Sequence, residues 1–360
     1  LTPRYIIHIG PLKTASTYIQ ECLTAVRLDL EAQGICYPAE LLDENARFMH
    51  MPVVRALRRN QSASLKEVFG RLNQAGHHTI LLSCEHMIFL KPEQFAALRD
   101  ATGASDISVV YTCRRWSDRL ASIWNQNLMM GDAQTLPEFF LSLVAGIGPS
   151  YMPKWVREQG PGADFDYSLT WQTIEKVFGR DALTIFPYSE ILDRGGDVYV
   201  QFCRDVLGLA EAPATNLTGT RRWASLGTTD QEILRVLNRL HVNEHGEQTD
   251  QVRANFMRRR KHYDTARIVE AMAPSSAEMT IDDNSVLFDA PFDNMNRYVD
   301  RVAGADILFE RRQKQARYVQ AEYLLRDGVR EDLHGIYAQI AAELAAAPAR
   351  ERRRPKAAAP

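Results

Sequence analysis

Four short apolar runs, at 5–9, 79–82, 107–111 and 183–186, lack the polar alternation of a half-exposed strand, and helical patterns separate them. Runs of this kind predict strands buried on both faces. Behind the first run, Tyr18, Ile19, Cys22, Leu23 and Val26 recur at helical spacing, and behind the third Leu120, Ile123, Trp124, Asn127 and Leu128 do the same. Repeated strand-then-helix units predict an α/β fold, a parallel sheet with helices on both faces whose ligand site lies at the carboxyl ends of its strands. Further along, 210–230 reads as loop, Ile233, Leu234, Leu237 and Leu240 predict a helix over 230–240, and 305–346 reads as helical with Leu333, Ile336, Tyr337, Ile340 and Leu344 on one face. The Ala/Pro/Arg-rich end reads as a disordered tail. The expected organisation is a main domain over 1–300, a helical C-terminal extension over 301–346 and a tail over 347–360.

Composition narrows the function classes. A chain of 360 residues that is 45% hydrophobic and 24% charged can bury a sizeable core without help from metals or disulfides. Its 43 Lys+Arg against 45 Asp+Glu give a formal net charge of −2, so no global field recruits nucleic acid, and any anion site must be local. The five cysteines, Cys22, Cys36, Cys84, Cys113 and Cys203, form no CxxC or Cys/His cluster, and their odd number argues against a paired disulfide framework. A reducing, cytoplasmic setting and no metal are expected. No stretch reaches the roughly 18 apolar residues of a membrane span. The basic run Arg258-Arg259-Arg260-Lys261-His262 reads either as a solvated helix face or as a peripheral contact for membrane headgroups or an anionic acceptor.

The segment after the first strand carries the clearest chemistry. Gly10-Pro11-Leu12-Lys13-Thr14-Ala15-Ser16-Thr17 joins a buried strand to a helix. Such a turn aims free backbone N–H groups and a helix N-terminus at one point, and Lys13 adds a full charge there, which is how a protein holds a phosphate. It is not a Walker A loop, because Leu12 stands where that motif needs a second glycine before the lysine. A plain strand-to-helix turn with a surface Lys and Thr would give the same local pattern.

On these residues the chain resembles the sulfotransferases that use 3′-phosphoadenosine-5′-phosphosulfate (PAPS). Their bacterial members carry a strand followed by a pattern close to H-I-G-x-x-K-T-G-T-T-x-x-Q, against His8-Ile9-Gly10, Lys13-Thr14-Ala15-Ser16-Thr17 and Gln20 here. The departures are Ala15 for Gly, which calls for negative φ or a small strain, and Ser16 for Thr. A second motif, an Arg leaving a strand with a Ser eight positions on, is matched by Arg114 and Ser122, with Asp118 between them. An Arg fork with a hydroxyl suits a phosphate dianion. A third stretch, Leu183 to Glu190, resembles the family's later strand ending in Tyr.

The resemblance covers about residues 4 to 240 and implies a P-loop NTPase-like sulfotransferase fold. It implies Lys13, Thr14, Ala15, Ser16 and Thr17 around the 5′-phosphate side of PAPS, Arg114 and Ser122 on the 3′-phosphate, Tyr188 beside the adenine and Arg222 as a basic-loop contact. It also implies sulfuryl transfer to a hydroxyl of a carbohydrate or glycolipid. For the base that takes the acceptor proton, Glu85 at the end of the strand 79–82 leads, with His86 and His50 as alternatives. A kinase of the wider phosphate-loop superfamily and an inactive anion-binding protein remain the competing readings.

Overall fold

The computed structural model describes residues 2–45, 47–145, 166–218, 226–282 and 313–346. In chain order the strands are β1 (Arg4–Ile9), β2 (Ile35–Cys36), β3 (Thr79–Ser83), β4 (Ile107–Cys113), β5 (Leu183–Pro187), β6 (Ser276–Asp282) and β7 (Gln313–Val319). The helices are α1 (Ser16–Ala25), α2 (Arg27–Ala32), α3 (Met51–Arg58), α4 (Ser62–Gln74), α5 (Pro92–Thr102), α6 (Trp116–Met129) and α7 (Leu136–Val144). Then follow α8 (Tyr167–Phe178), α9 (Tyr188–Asp193), α10 (Val198–Asp205), α11 (Thr228–His245), α12 (Gln251–Arg259), α13 (Ala266–Met272) and α14 (Val329–Ala346).

Strands β1 to β5 form one parallel sheet in the order β2-β3-β1-β4-β5. Both faces are covered, as the unbroken apolar runs require. Along β1, Tyr5, Ile7 and Ile9 point into a core shared with Val53 of α3, Phe69 of α4, Phe95 of α5, Leu120 of α6 and Trp171 of α8. Ile6 points the other way, among Ile19 and Leu23 of α1, Leu30 of α2 and Phe202 of α10. Strand β1 leads through α1 to one side of the sheet, whereas β4 leads through α6 to the other. The crevice between their carboxyl ends is the switch point at which a sheet of this type opens to a ligand.

Gly10 is needed where β1 leaves the sheet, because a Cβ there would sit 2.8 Å from the carbonyl oxygen of Thr112 on β4. Strand β2 has only two residues, too short to produce a legible run. The expectation of helix throughout 305–346 is corrected at its start, where 313–319 is the strand β7, antiparallel to β6. Along Gln313–Val319, Lys314, Ala316 and Tyr318 are turned inward while Gln313, Gln315 and Arg317 are exposed, the period-two alternation of one ribbon face. That ribbon joins residues on both sides of the expected boundary at 300. A third core gathers α11, α12, α13 and α14 around Leu234, Phe256, Ile268, Tyr323 and Ile340. In the buried Glu232–Arg235 ion pair, 2.6 Å, Glu232 Oε1 also accepts the Tyr323 hydroxyl at 2.9 Å and Arg235 Nη1 donates to the Ala133 carbonyl at 3.3 Å, so each charge has a further partner.

All five cysteines are buried and unpaired. Among the described residues no helix is long and apolar enough to cross a membrane.

Candidate active site

The turn from β1 to α1 has an unusual backbone. Lys13 (φ 72°) and Ala15 (φ 58°) both occupy the left-handed region without being glycine. Of the two alternatives for Ala15, negative φ or strain, the structure has the strain, which costs on the order of 1 kcal/mol per residue. The peptide planes are held by α6 and by the residue that leaves β4. The Arg119 Nε donates to the Leu12 carbonyl at 3.0 Å, and Arg114 Nη1 donates to the Lys13 carbonyl at 2.5 Å. Across a planar trans peptide the carbonyl and the next N–H point in opposite directions, so the amides of Lys13 and Thr14 face away from these guanidinium groups. No side chain caps α1, whose first backbone bond runs from Ile19 N to Ala15 O at 3.1 Å. The amides of Ser16 and Thr17 thus have no intrahelical acceptor. The Thr14 hydroxyl braces the turn instead, donating to Pro11 O at 2.7 Å, with Ser16 Oγ 3.3 Å away. Thr17 is half-buried on the first turn of the helix.

Lys13 lies between two opposite charges. Its Nζ donates to Gln126 Oε1 on α6 at 2.5 Å. Burial, and then the Arg114 charge, pull its amine down to about 8, while the Glu85 carboxylate opposes them. One helical turn before Gln126 on the same face of α6 is Ser122, whose hydroxyl donates to the Asp118 carbonyl at 3.3 Å. Arg114 leaves β4 as expected and lies with its Cζ 5.2 Å from the ring centroid of Tyr188, the first residue of α9. Burial lowers its guanidinium despite Tyr188 and Asp118, and its Nε is buried with no acceptor. A buried cation with an unused donor, beside uncapped amides, is chemistry that fits an anionic ligand.

Two residues here were not assigned from sequence. Gln126 is 113 positions from Lys13, and Lys314 of β7 reaches Asp118 Oδ1 at 2.7 Å. Burial pushes the Asp118 carboxyl up, but the Lys314 hydrogen bond and charge, with Arg115 and Arg114, outweigh it and leave it below its ordinary value. Arg115 also holds Asp193 through two bonds, of 2.7 and 3.0 Å, so it fastens α9 to α6 and is committed to carboxylates.

The three candidate bases differ sharply in setting. Glu85 follows β3 after Cys84 and opens a short 3₁₀ turn, Glu85–Phe89; it is 6% exposed, and Gln20 Nε2 donates to its Oε2 at 3.0 Å. His86, half-buried on the same turn, has its ring 6.1 Å from that of Phe89. His50 is fully buried: its Nδ1 accepts from Ser83 N at 2.9 Å and its Nε2 donates to Pro38 O at 3.2 Å. Burial lowers that ring to about 4, and neither nitrogen is left for an acceptor hydroxyl. Arg222 lies outside the described residues. In the basic run, Arg258 and Arg259 pair with Glu343 at 3.1 and 2.7 Å and Arg260 with Asp230 at 2.7 Å, so any anionic partner there competes with internal carboxylates.

No protein-family model and no curated protein matches the chain. Among solved structures it is similar to a sulfotransferase from Alicyclobacillus acidocaldarius, at 16% identity and a TM-score of 0.37 over 66% of this chain and 94% of that one. It is also similar to a sulfotransferase domain from the curacin biosynthetic pathway, at 14% identity and a TM-score of 0.32 over 60% of this chain and 76% of that one. Similarity of this extent assigns no activity to the chain.

Proposed function

We propose that this chain is a PAPS-dependent sulfotransferase that moves the sulfuryl group to a hydroxyl of a carbohydrate or glycolipid acceptor and releases 3′-phosphoadenosine 5′-phosphate (PAP). One observation carries the reading: Glu85, Lys13 and Arg114 stand just past the carboxyl ends of the adjacent strands β3, β1 and β4, and Arg114 Nη1 bonds the Lys13 carbonyl. A cation for a leaving phosphate, a second for another phosphate and a carboxylate for a proton are what in-line sulfuryl transfer needs.

In this reading the amides of Thr14, Ser16 and Thr17 and the Lys13 ammonium hold the 5′-phosphate, with Arg114 and Ser122 on the 3′-phosphate and Tyr188 against the adenine. PAPS supplies the activated sulfuryl group. Glu85 takes the proton of the acceptor hydroxyl as its oxygen bonds to sulfur, and the bond from sulfur to the phosphate oxygen breaks. Lys13 and the turn amides stabilise the negative charge that grows on that oxygen. The kinase reading lacks a second turn glycine for a Walker A loop.

The test is transfer of labelled sulfuryl from PAPS to a panel of glycan and glycolipid acceptors. Glu85→Gln keeps the shape of the side chain and removes its basicity, so PAP affinity is expected to stay near wild type while turnover falls by about 10²–10⁴. Full turnover in Glu85→Gln would remove Glu85 as the base, and no transfer to any hydroxyl acceptor would remove the reading.

A further inference from the structure

A buried polar string runs across the sheet behind Glu85. His8, in the middle of β1 and 1% exposed, has its Nε2 2.7 Å from Thr112 Oγ1 on β4 and its Nδ1 2.7 Å from Ser83 Oγ on β3. Burial lowers this imidazole to about 3, so it is neutral at working pH. The Ser83 hydroxyl accepts from Gln20 Nε2 at 3.1 Å, and the same amide nitrogen donates to Glu85 Oε2 at 3.0 Å. Gln20, on α1, has no exposed surface.

The orientation of this amide is informative. With both donors of Nε2 committed to Ser83 and Glu85, Gln20 Oε1 is left buried with no partner. Burial alone would not select that arrangement, because a lone buried carbonyl is costly. A flipped amide would set its carbonyl against a Glu85 oxygen, whereas the orientation present keeps an N–H on Oε2. The string also spans the three strands that frame the crevice, which makes it a rigid support for one carboxylate oxygen while leaving the other, Oε1, outside it.

We propose that Gln20 is the positioning residue of the site: held by Ser83 and, through Ser83, by His8 and Thr112, it fixes the rotamer of Glu85. This rests on the reading of Glu85 as the base. Gln20 acts through Glu85 and touches no substrate. Among the described residues, the charged or titratable groups around Glu85 are Lys13 on the turn after β1, Cys84 beside it in the chain, Tyr37 just past β2, and His86 on its own turn. Burial holds the Cys84 and Tyr37 protons well above their ordinary values, so neither changes charge near neutrality.

The test uses Gln20→Met, which keeps the volume and removes the donor. Removing an N–H donor from a carboxylate oxygen disfavours its charged form, so the Glu85 carboxyl in Gln20→Met should titrate at higher pH than in the wild type. The readout is the ¹³C resonance of the Glu85 carboxyl, assigned by its loss in Glu85→Gln, followed through a pH titration. His86 does not contribute to that signal. Alongside it, kcat should fall about tenfold at the pH plateau with PAP affinity within about twofold of wild type. PAP affinity reports that Gln20→Met is folded, and Ser83→Ala, which frees the amide without removing it, should shift both readouts in the same direction by less. An unmoved carboxyl titration, or full kcat in Gln20→Met, overturns the positioning role while Glu85→Gln remains inactive. Full turnover in Glu85→Gln overturns the base and this role together.

Discussion

Lys13 offers a prediction whose size follows from its surroundings. Burial and the Arg114 charge hold its amine at about 8 in the free protein. About one tenth of it is then uncharged at pH 7, half at pH 8 and about nine tenths at pH 9. A bound phosphate dianion favours the ammonium and lifts its pKa, so ligand must take up the missing proton. For PAP, whose phosphates are dianionic above pH 7 because their second pKa is near 6, the observed affinity should fall about tenfold from pH 7 to pH 9, or about 1.4 kcal/mol. At pH 8 about half a proton should be taken up per PAP bound. Calorimetry in buffers of different ionisation enthalpy measures both. Lys13→Met should bind more weakly and lose the pH dependence over this range. An affinity flat from pH 7 to 9 in the wild type, or proton uptake that persists in Lys13→Met, would refute the placement of this amine against the phosphate.

Three further outcomes are expected. Arg114→Ala should weaken PAP by about 2 kcal/mol more than adenosine 5′-phosphosulfate, which lacks a 3′-phosphate, in competition binding; equal losses would make Arg114 a brace for the Lys13 carbonyl only. Gly10→Ala should destabilise the protein by about 1–3 kcal/mol in urea unfolding and weaken PAP, because its Cβ meets the Thr112 backbone and must push β1 from β4. Ala15→Gly relieves a left-handed residue at φ 58°, and the strain relieved roughly offsets the added chain entropy of glycine, so the unfolding free energy should stay within about 1 kcal/mol of wild type with PAP binding retained.

The sequence was most legible where the determining pattern was local. Runs of four or five apolar residues located β1, β3, β4 and β5 within two residues, since a strand buried on both faces needs no partner to reveal it. Lys13 and the turn around it were legible for the same reason. What failed depended on distant partners. The Lys13 contact with Gln126, the Asp118 contact with Lys314 and the string from Thr112 through His8 to Gln20 join residues far apart in the chain. No spacing rule connects them before the sheet order is known. His50 shows the converse: as a lone histidine it read as a candidate base, and only the fold reveals that Pro38 and Ser83 occupy both of its nitrogens. Strand β7 alternated in period two, but the longer amphipathic stripe of α14 after it drew the whole segment into a helical reading.

The central claim is a site for a nucleoside carrying two phosphates, held by protein charge and backbone amides. Isothermal titration of the full chain with PAP in the presence of EDTA, beside ATP with Mg²⁺, tests it most directly. One PAP per chain with micromolar-range affinity in EDTA, and much weaker ATP–Mg²⁺, is the predicted result. No binding of PAP, or binding that appears only with Mg²⁺ and is matched by ATP, would contradict it.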